Sequence, residues 1–173
     1  MSELNEKGYA RLSQNLDINY IDEINRLATN LKCFNGEQYA IFDEKKISTT
    51  RYNFDPNDLV NQSFIQKLIM DEHLINIARE YFNSEPIFDM PAMWWSTPYG
   101  GGPSSEAAQL YHYDLDRVKW LKIFFYVTDV NDFNGPHHYI EKTHKINSKP
   151  VELLSRGYQR ITDDEIKNYY SSD

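Results

Sequence analysis

An α+β domain, mainly β with helices gathered on its N-terminal side, is the fold class the sequence predicts. Three observations carry it. Apolar residues at helical spacing are concentrated before Pro86, and after it the apolar pattern alternates with period two. Length adds the third, because 173 residues suffice for one domain with a real core and nothing marks a second. The expected division is a helical support over 1–85, strands with the chemistry-bearing motif over 86–145, and an insertion with a terminal helix over 146–173.

In chain order, 8–16 offers Tyr9, Ala10 and Leu12 to a first short strand. Asp17 or Asn19 caps a helix whose Tyr20, Ile24, Leu27, Ala28 and Leu31 fall on one side, with Gly36 as its stop. Cys33 is placed on that helix as a buried or half-buried thiol rather than a nucleophile. The polar stretch 37–61 reads as irregular, with Tyr39, Ile41 and Phe42 as a strand candidate. Its Arg51 and Tyr52 belong either to a solvated loop, the preferred reading, or to an active site. Ser63 and Gln66 have capping-box spacing for a short helix, and Asp71 caps another with Leu74, Ile77, Ala78, Tyr81 and Phe82 on its buried face. Both helices are expected to brace a sheet.

Pro86 closes the helical region. Met90, Met93, Trp94 and Trp95 then form an aromatic strand-like segment, and the glycines at 100–102 make a connector or a lid. Over 120–130 the alternation is strong: Leu121, Ile123, Phe125 and Val127 share one face, Trp120, Lys122, Phe124 and Tyr126 the other. Such a run suits a central strand. Asn134, Gly135 and Pro136 turn the chain so that 137–140 pairs back. Thr162 and Glu165 have capping-box spacing for a terminal helix through Tyr170. Together these strands suggest an antiparallel jelly roll (double-stranded β-helix) of the cupin type, which commonly has eight strands. Five or six are countable, so the roll is expected to be incomplete.

Bulk properties exclude several classes. A net charge of -8 argues against nucleic acid as a partner, since phosphate binding wants clustered Lys and Arg. No apolar run approaches the ~20 residues of a membrane span. The acidic, polar 1–7 is unlike a signal peptide, and a single cysteine fits a reducing compartment, so a cytoplasmic protein is expected. Aromatic residues make up 14% of the chain, mostly ordinary core material with some available to line a pocket.

The chemistry is concentrated in 109–144. In an extended segment His112 and Asp114 project to the same side, while Tyr113 faces the other way. An imidazole and a carboxylate aimed at one point suit a divalent metal, and a second histidine would make the 2-His-1-carboxylate triad of non-haem Fe(II) oxygenases. The tripeptide alone decides little. With 5 histidines and 14 aspartates in 173 residues, a His-x-Asp arises about 0.4 times by chance. A satisfied polar pair beside a strand end remains the alternative.

The surroundings add a resemblance. Ala108 and Gln109, His112 and Asp114, then Thr128, Asp129 and Val130, the Gly135-Pro136 turn, and His144-Lys145 stand in one order. This stretch resembles the phytanoyl-CoA dioxygenase family of Fe(II)- and 2-oxoglutarate-dependent oxygenases. Glu141, Lys142 and Thr143 stand where that family usually has Pro-Gly-Ser. Weaker likeness at Gly8, Tyr9 and Leu12 extends to the N-terminus. The resemblance implies a dioxygenase of hydroxylase type that uses Fe(II), dioxygen and 2-oxoglutarate on a small organic substrate. His112 and Asp114 would be metal ligands and Gln109 a cosubstrate contact. The coenzyme A thioester in the family's name is not carried over, because a polyanion suits this acidic chain poorly.

In that family the second histidine and the arginine that pairs with the cosubstrate carboxylate lie on strands after the His-Lys loop. No such strands follow His144, so the sequence is expected to represent the N-terminal part of the fold. Arg156 and Arg160 match no motif position. His137 or His138 could stand in as third ligand only if their strand lay beside that of His112. The competing class is a jelly-roll module, or inactive remnant, that binds a small ligand without chemistry. An incomplete roll would expose strand edges, and association through them is expected.

Overall fold

The computed structural model describes residues 2–114, 117–132 and 134–170. The chain divides into two units: Met1–Ser13 with Pro103–Trp120 and His137–Asp173, and Gln14–Gly102 with Leu121–Pro136. The class is α+β, as the sequence predicts, but among the described residues helix outweighs strand, so the expectation of a mainly β domain does not hold. No described helix is long and apolar enough to cross a membrane.

The second unit begins with α2 (Ile18–Asn30), which follows the short α1 (Ser2–Lys7) of the first. Asp17 caps it by accepting from the Asn19 amide at 2.8 Å, and Ile24 and Ala28 form its buried stripe. The helix ends at Asn30, before Gly36, because the chain turns directly into β1 (Lys32–Phe34). Gly36, at φ +99°, makes the β1–β2 turn, where the Asn35 carboxamide accepts from the amides of Glu37 and Gln38.

An antiparallel four-stranded sheet follows, in the order β2 (Tyr39–Ile41), β1, β3 (Arg51–Phe54) and β4 (Trp94–Ser96). Cys33 stands opposite Ala40 and Phe54, and Tyr52 opposite Trp95. Cys33 is buried as expected, but on a strand rather than a helix. Tyr52 and Phe54, two apart on one face of β3, join Ala28, Cys33 and Leu59 in the core, with Phe42 and Trp95 packed against it. The Phe42 and Trp95 rings stack at 5.1 Å. On the other face of β3 the Arg51 guanidinium lies 4.0 Å from the Trp94 ring. The strand candidate at Tyr39 and Ile41 is found as β2, whereas Arg51 and Tyr52, expected in a solvated loop, lie on the sheet strand β3, because burying Tyr52 and Phe54 outweighs the polarity of their neighbours.

Three short helices follow: α3 (Pro56–Val60), α4 (Ser63–Ile69) and α5 (Glu72–Phe82). Asp71 caps α5 through the His73 and Leu74 amides, as read from the sequence. For α4 the capping box is absent: Gln62 holds the cap position and the Gln66 carboxamide donates to the Val60 carbonyl.

The described sheet comes from 32–96, and 120–130 carries no strand. The alternation survives in part, since Leu121, Phe125 and Val127 are half-buried while Lys122, Phe124 and Tyr126 are exposed. A period-two run makes a strand only where a neighbour supplies the ladder. Here the Val127 carbonyl accepts instead from the Asn25 carboxamide of α2 at 3.3 Å. Residues 137–140 likewise carry no strand, although Asn134 forms the expected turn by bonding Asn131 and the Asp129 carbonyl.

In the first unit, the expected strand over 8–16 is absent, and α1 precedes it. Gly8 lies at φ +90°, where a Cβ would collide with the Tyr139 hydroxyl and the His144 ring. This close approach lets the Lys142 amide donate to the Lys7 carbonyl at 2.6 Å and Tyr9 reach Glu141 at 3.0 Å. Gly8→Ala combines backbone strain with that collision and is expected to cost about 1–3 kcal/mol, read as a lower denaturant midpoint.

The core of this unit is Leu153, Ile161 and Ile166, with Tyr111, Tyr113, Ile140, Tyr169 and Tyr170 packed around them. Leu153 comes from α6 (Val151–Ser155) and Ile166 from α7 (Asp163–Ile166), which Thr162 caps through the Glu165 amide. The cap is the one the sequence predicts, but the helix is a single turn. Burial first, then the neighbouring Tyr113 phenol, pushes the Tyr170 phenol up from its ordinary value. A raised folded value means the proton is held more tightly in the folded state. That contribution is complete below pH ~10 and is lost as pH climbs above it. Tyr170→Phe is expected to flatten this alkaline limb of a stability-against-pH curve.

Candidate functional site

The candidate site is built on the edge of the first unit's core. Tyr111 and Ile161 exchange both backbone hydrogen bonds, at 3.1 and 2.8 Å, in an antiparallel bridge. Their side chains, with Tyr113, turn into the apolar cluster. Alternation then leaves His112 and Asp114 on the opposite side, and their Nε2 and Oδ1 atoms lie 3.4 Å apart. Both side chains are partly open to solvent, at 20% and 31% exposure.

The histidine is oriented by a second contact. Its Nδ1 lies 2.7 Å from the Leu110 carbonyl, which can only accept, so Nδ1 carries a proton. In the neutral ring the Nε2 lone pair then faces the Asp114 carboxylate. A backbone carbonyl holding the far ring nitrogen is the usual arrangement around a metal-binding imidazole. Two donors each about 2.1 Å from one ion are about 3.0 Å apart at a right angle and about 3.4 Å apart at a tetrahedral angle. The observed spacing therefore fits two adjacent coordination positions. It equally fits an imidazolium–carboxylate pair, the bland alternative.

The other candidate residues are placed differently. Gln109 is exposed, and its side-chain oxygen accepts from the Ser104 amide at 2.7 Å while its own amide returns to the Ser104 carbonyl. It thus closes the loop that follows the glycine run. His144 meets the Asn5 carbonyl at 3.2 Å through Nε2, and His138 is exposed. Among the described residues no group of three His, Cys, Asp or Glu could hold a metal. Within them, therefore, neither His137, His138 nor His144 closes a triad with His112 and Asp114. Leu115 and Asp116, the end of the motif stretch, lie outside the described residues.

Sequence reasoning passed over one residue here. Arg160 immediately precedes Ile161, and its Nη1 is buried without a hydrogen-bond partner among the described residues. Its guanidinium lies 5.3 Å from the Tyr158 ring. Its neighbour Ile161 is the residue that bridges to Tyr111, and no local pattern announces a one-pair bridge. Arg156, by contrast, is held by Glu165 and by the Tyr169 hydroxyl.

In the second unit, a groove of about 310 Å³ is lined by Glu23, Arg26, Leu27, Asn30, Gln62 and Phe64. It offers no imidazole or thiol, so its chemistry is poorer than that of the His112–Asp114 pair. Comparison with family models, curated proteins and solved structures finds no match to this chain.

Proposed function

We propose that this chain carries the metal-gripping part of a non-haem Fe(II)- and 2-oxoglutarate-dependent dioxygenase acting on a small organic substrate. The observation that carries the reading is the 3.4 Å approach of His112 Nε2 to Asp114 Oδ1, with Nδ1 held by the Leu110 carbonyl. His112 and Asp114 would hold Fe(II), which when bound supplies oxidation by dioxygen coupled to decarboxylation of 2-oxoglutarate. The Leu110 carbonyl fixes the ring so that Nε2 points at the ion. The Tyr111–Ile161 bridge fixes the backbone that carries both ligands. With two donors from the described residues, affinity for the ion is expected to be weak.

The jelly-roll architecture belongs to the same proposal and rests on the family resemblance, since the alternating run 120–130 carries no strand. The experiment is consumption of 2-oxoglutarate, with succinate formed, when Fe(II) and air are supplied. The reading expects a rate above the metal-free background that His112→Ala abolishes. Equal consumption by both proteins would overturn it. A binding module without turnover is the second reading, favoured by Gln109, whose side chain closes its own loop. It expects ligand binding with no succinate.

A further inference from the structure

The four-stranded sheet ends on two edges, and they are built differently. Along an antiparallel strand each residue turns its N–H and C=O either to one neighbour or to the other, in alternation. The Asn35 amide bonds the Gln38 carbonyl across the β1–β2 turn, which commits residues 38 and 40 to β1. Tyr39 and Ile41 therefore aim their backbone groups away from the sheet, where no strand pairs with β2 among the described residues. At the other edge the Phe54 amide bonds the Met93 carbonyl and the Thr97 amide bonds the Thr50 carbonyl. Residues 93, 95 and 97 are thereby committed to β3, and Trp94 and Ser96 face outward.

β4 carries devices that blunt an edge. Pro98 comes next in its outward row and has no N–H, and the Arg51 guanidinium lies over the Trp94 ring. β2 carries neither. All three of its residues are exposed, and Tyr39 and Ile41 put apolar side chains on one face beside the unpaired backbone. The Tyr39 ring rests 5.2 Å from that of Phe34, so an apolar strip runs inward from this edge.

We propose that β2 pairs antiparallel with β2 of a second copy of this chain, about a two-fold axis at Ile41. Residues 39, 40 and 41 are the possible centres of such a self-pairing, and turn geometry and charge choose among them. Centring on Tyr39 puts the Gly36 turn, which is not strand, opposite Phe42. Centring on Ala40 sets Glu37 against Asp43, both acidic. Centring on Ile41 sets Glu37 of each copy against Lys45 of the other, so both ends of the pair are complementary. In that register each Ile41 exchanges backbone bonds with its counterpart and each Tyr39 with Asp43, while the Ile41 side chains meet directly and Tyr39 diagonally. A two-fold contact uses the same patch on both copies, and the blunted β4 edge stops growth at two. The pairing uses only the second unit and holds whether or not His112 and Asp114 take a metal.

The test is sedimentation equilibrium of the full chain at low ionic strength, over about a hundredfold range of concentration. A monomer–dimer equilibrium is expected. Ile41→Lys sets like charges at the two-fold axis and is expected to weaken the dimer at least about tenfold. Glu37→Lys alone places like charges across both ends and is expected to weaken it at least about threefold, whereas Glu37→Lys combined with Lys45→Glu restores it. A wild-type chain that stays monomeric or forms larger assemblies, a dimer indifferent to Ile41→Lys, or a charge swap that restores nothing would each overturn the pairing. Circular dichroism checks that Ile41→Lys is folded. If it is not, the Glu37 and Lys45 variants, which lie outside β2 itself, decide.

Discussion

His112→Ala is expected to lower the affinity for a divalent ion such as Co(II) at least about a hundredfold. Changes to residues that merely orient a ligand already cost 10–100-fold in typical metal sites, and His112 supplies a donor outright. Two consequences separate this from a general loss of structure. The ring is partly exposed and its backbone is fixed by the neighbouring Tyr111–Ile161 bridge, so the thermal transition of the variant should stay close to wild type. Asp114→Asn keeps an oxygen donor without the charge, so it should weaken binding by less than His112→Ala. Isothermal titration of the three proteins against Co(II) gives the order. Equal affinity in all three would place the ion elsewhere.

Leu153→Ala is expected to cost about 2–5 kcal/mol. Leu153 is 0% exposed at the centre of a small cluster, touching the same group that contains Ile161, Tyr111 and Tyr113. Truncation removes buried methyl groups and leaves a cavity that a three-residue buried core, ringed by tyrosines, has little means to refill. The first unit draws its elements from short pieces, with α6 and α7 of five and four residues. Such helices are not stable alone and depend on their packed face. The effect should therefore reach the site: as the cluster loosens, the bridge frays and His112 and Asp114 lose their fixed spacing. A guanidinium chloride titration followed by tyrosine fluorescence reads the stability. Metal affinity of the same variant, measured below its transition, should fall together with it, although Leu153 touches no ligand.

How much of this was legible in the sequence depended on whether the signal was local. Caps were readable. Asp17, Asp71 and Thr162 each begin a helix by accepting from amides two or three residues on, and nothing distant is needed for that. The Asp55-Pro56 start of α3 is the same kind of signal, set within a polar stretch whose composition reads as irregular. Same-side placement of His112 and Asp114 followed from period-two geometry and is found. Strand pairing was harder. Tyr52 and Phe54 alternate with Arg51 and Asn53 as clearly as residues 121–127 do, yet the first run is in the sheet and the second is not. What differs is the company: β3 has β1 and β4 on either side, and no local pattern reveals that. The Tyr111–Ile161 bridge was illegible for the same reason, because it joins residues fifty apart in sequence.

Paramagnetic broadening in a 1H–15N and 1H–13C spectrum tests the metal grip most directly. Sub-stoichiometric Mn(II) should erase the imidazole resonances of His112 and the carboxyl-side methylene of Asp114 together, while the rings of His73 and His138 persist. Broadening of those histidines with His112 untouched would contradict the account.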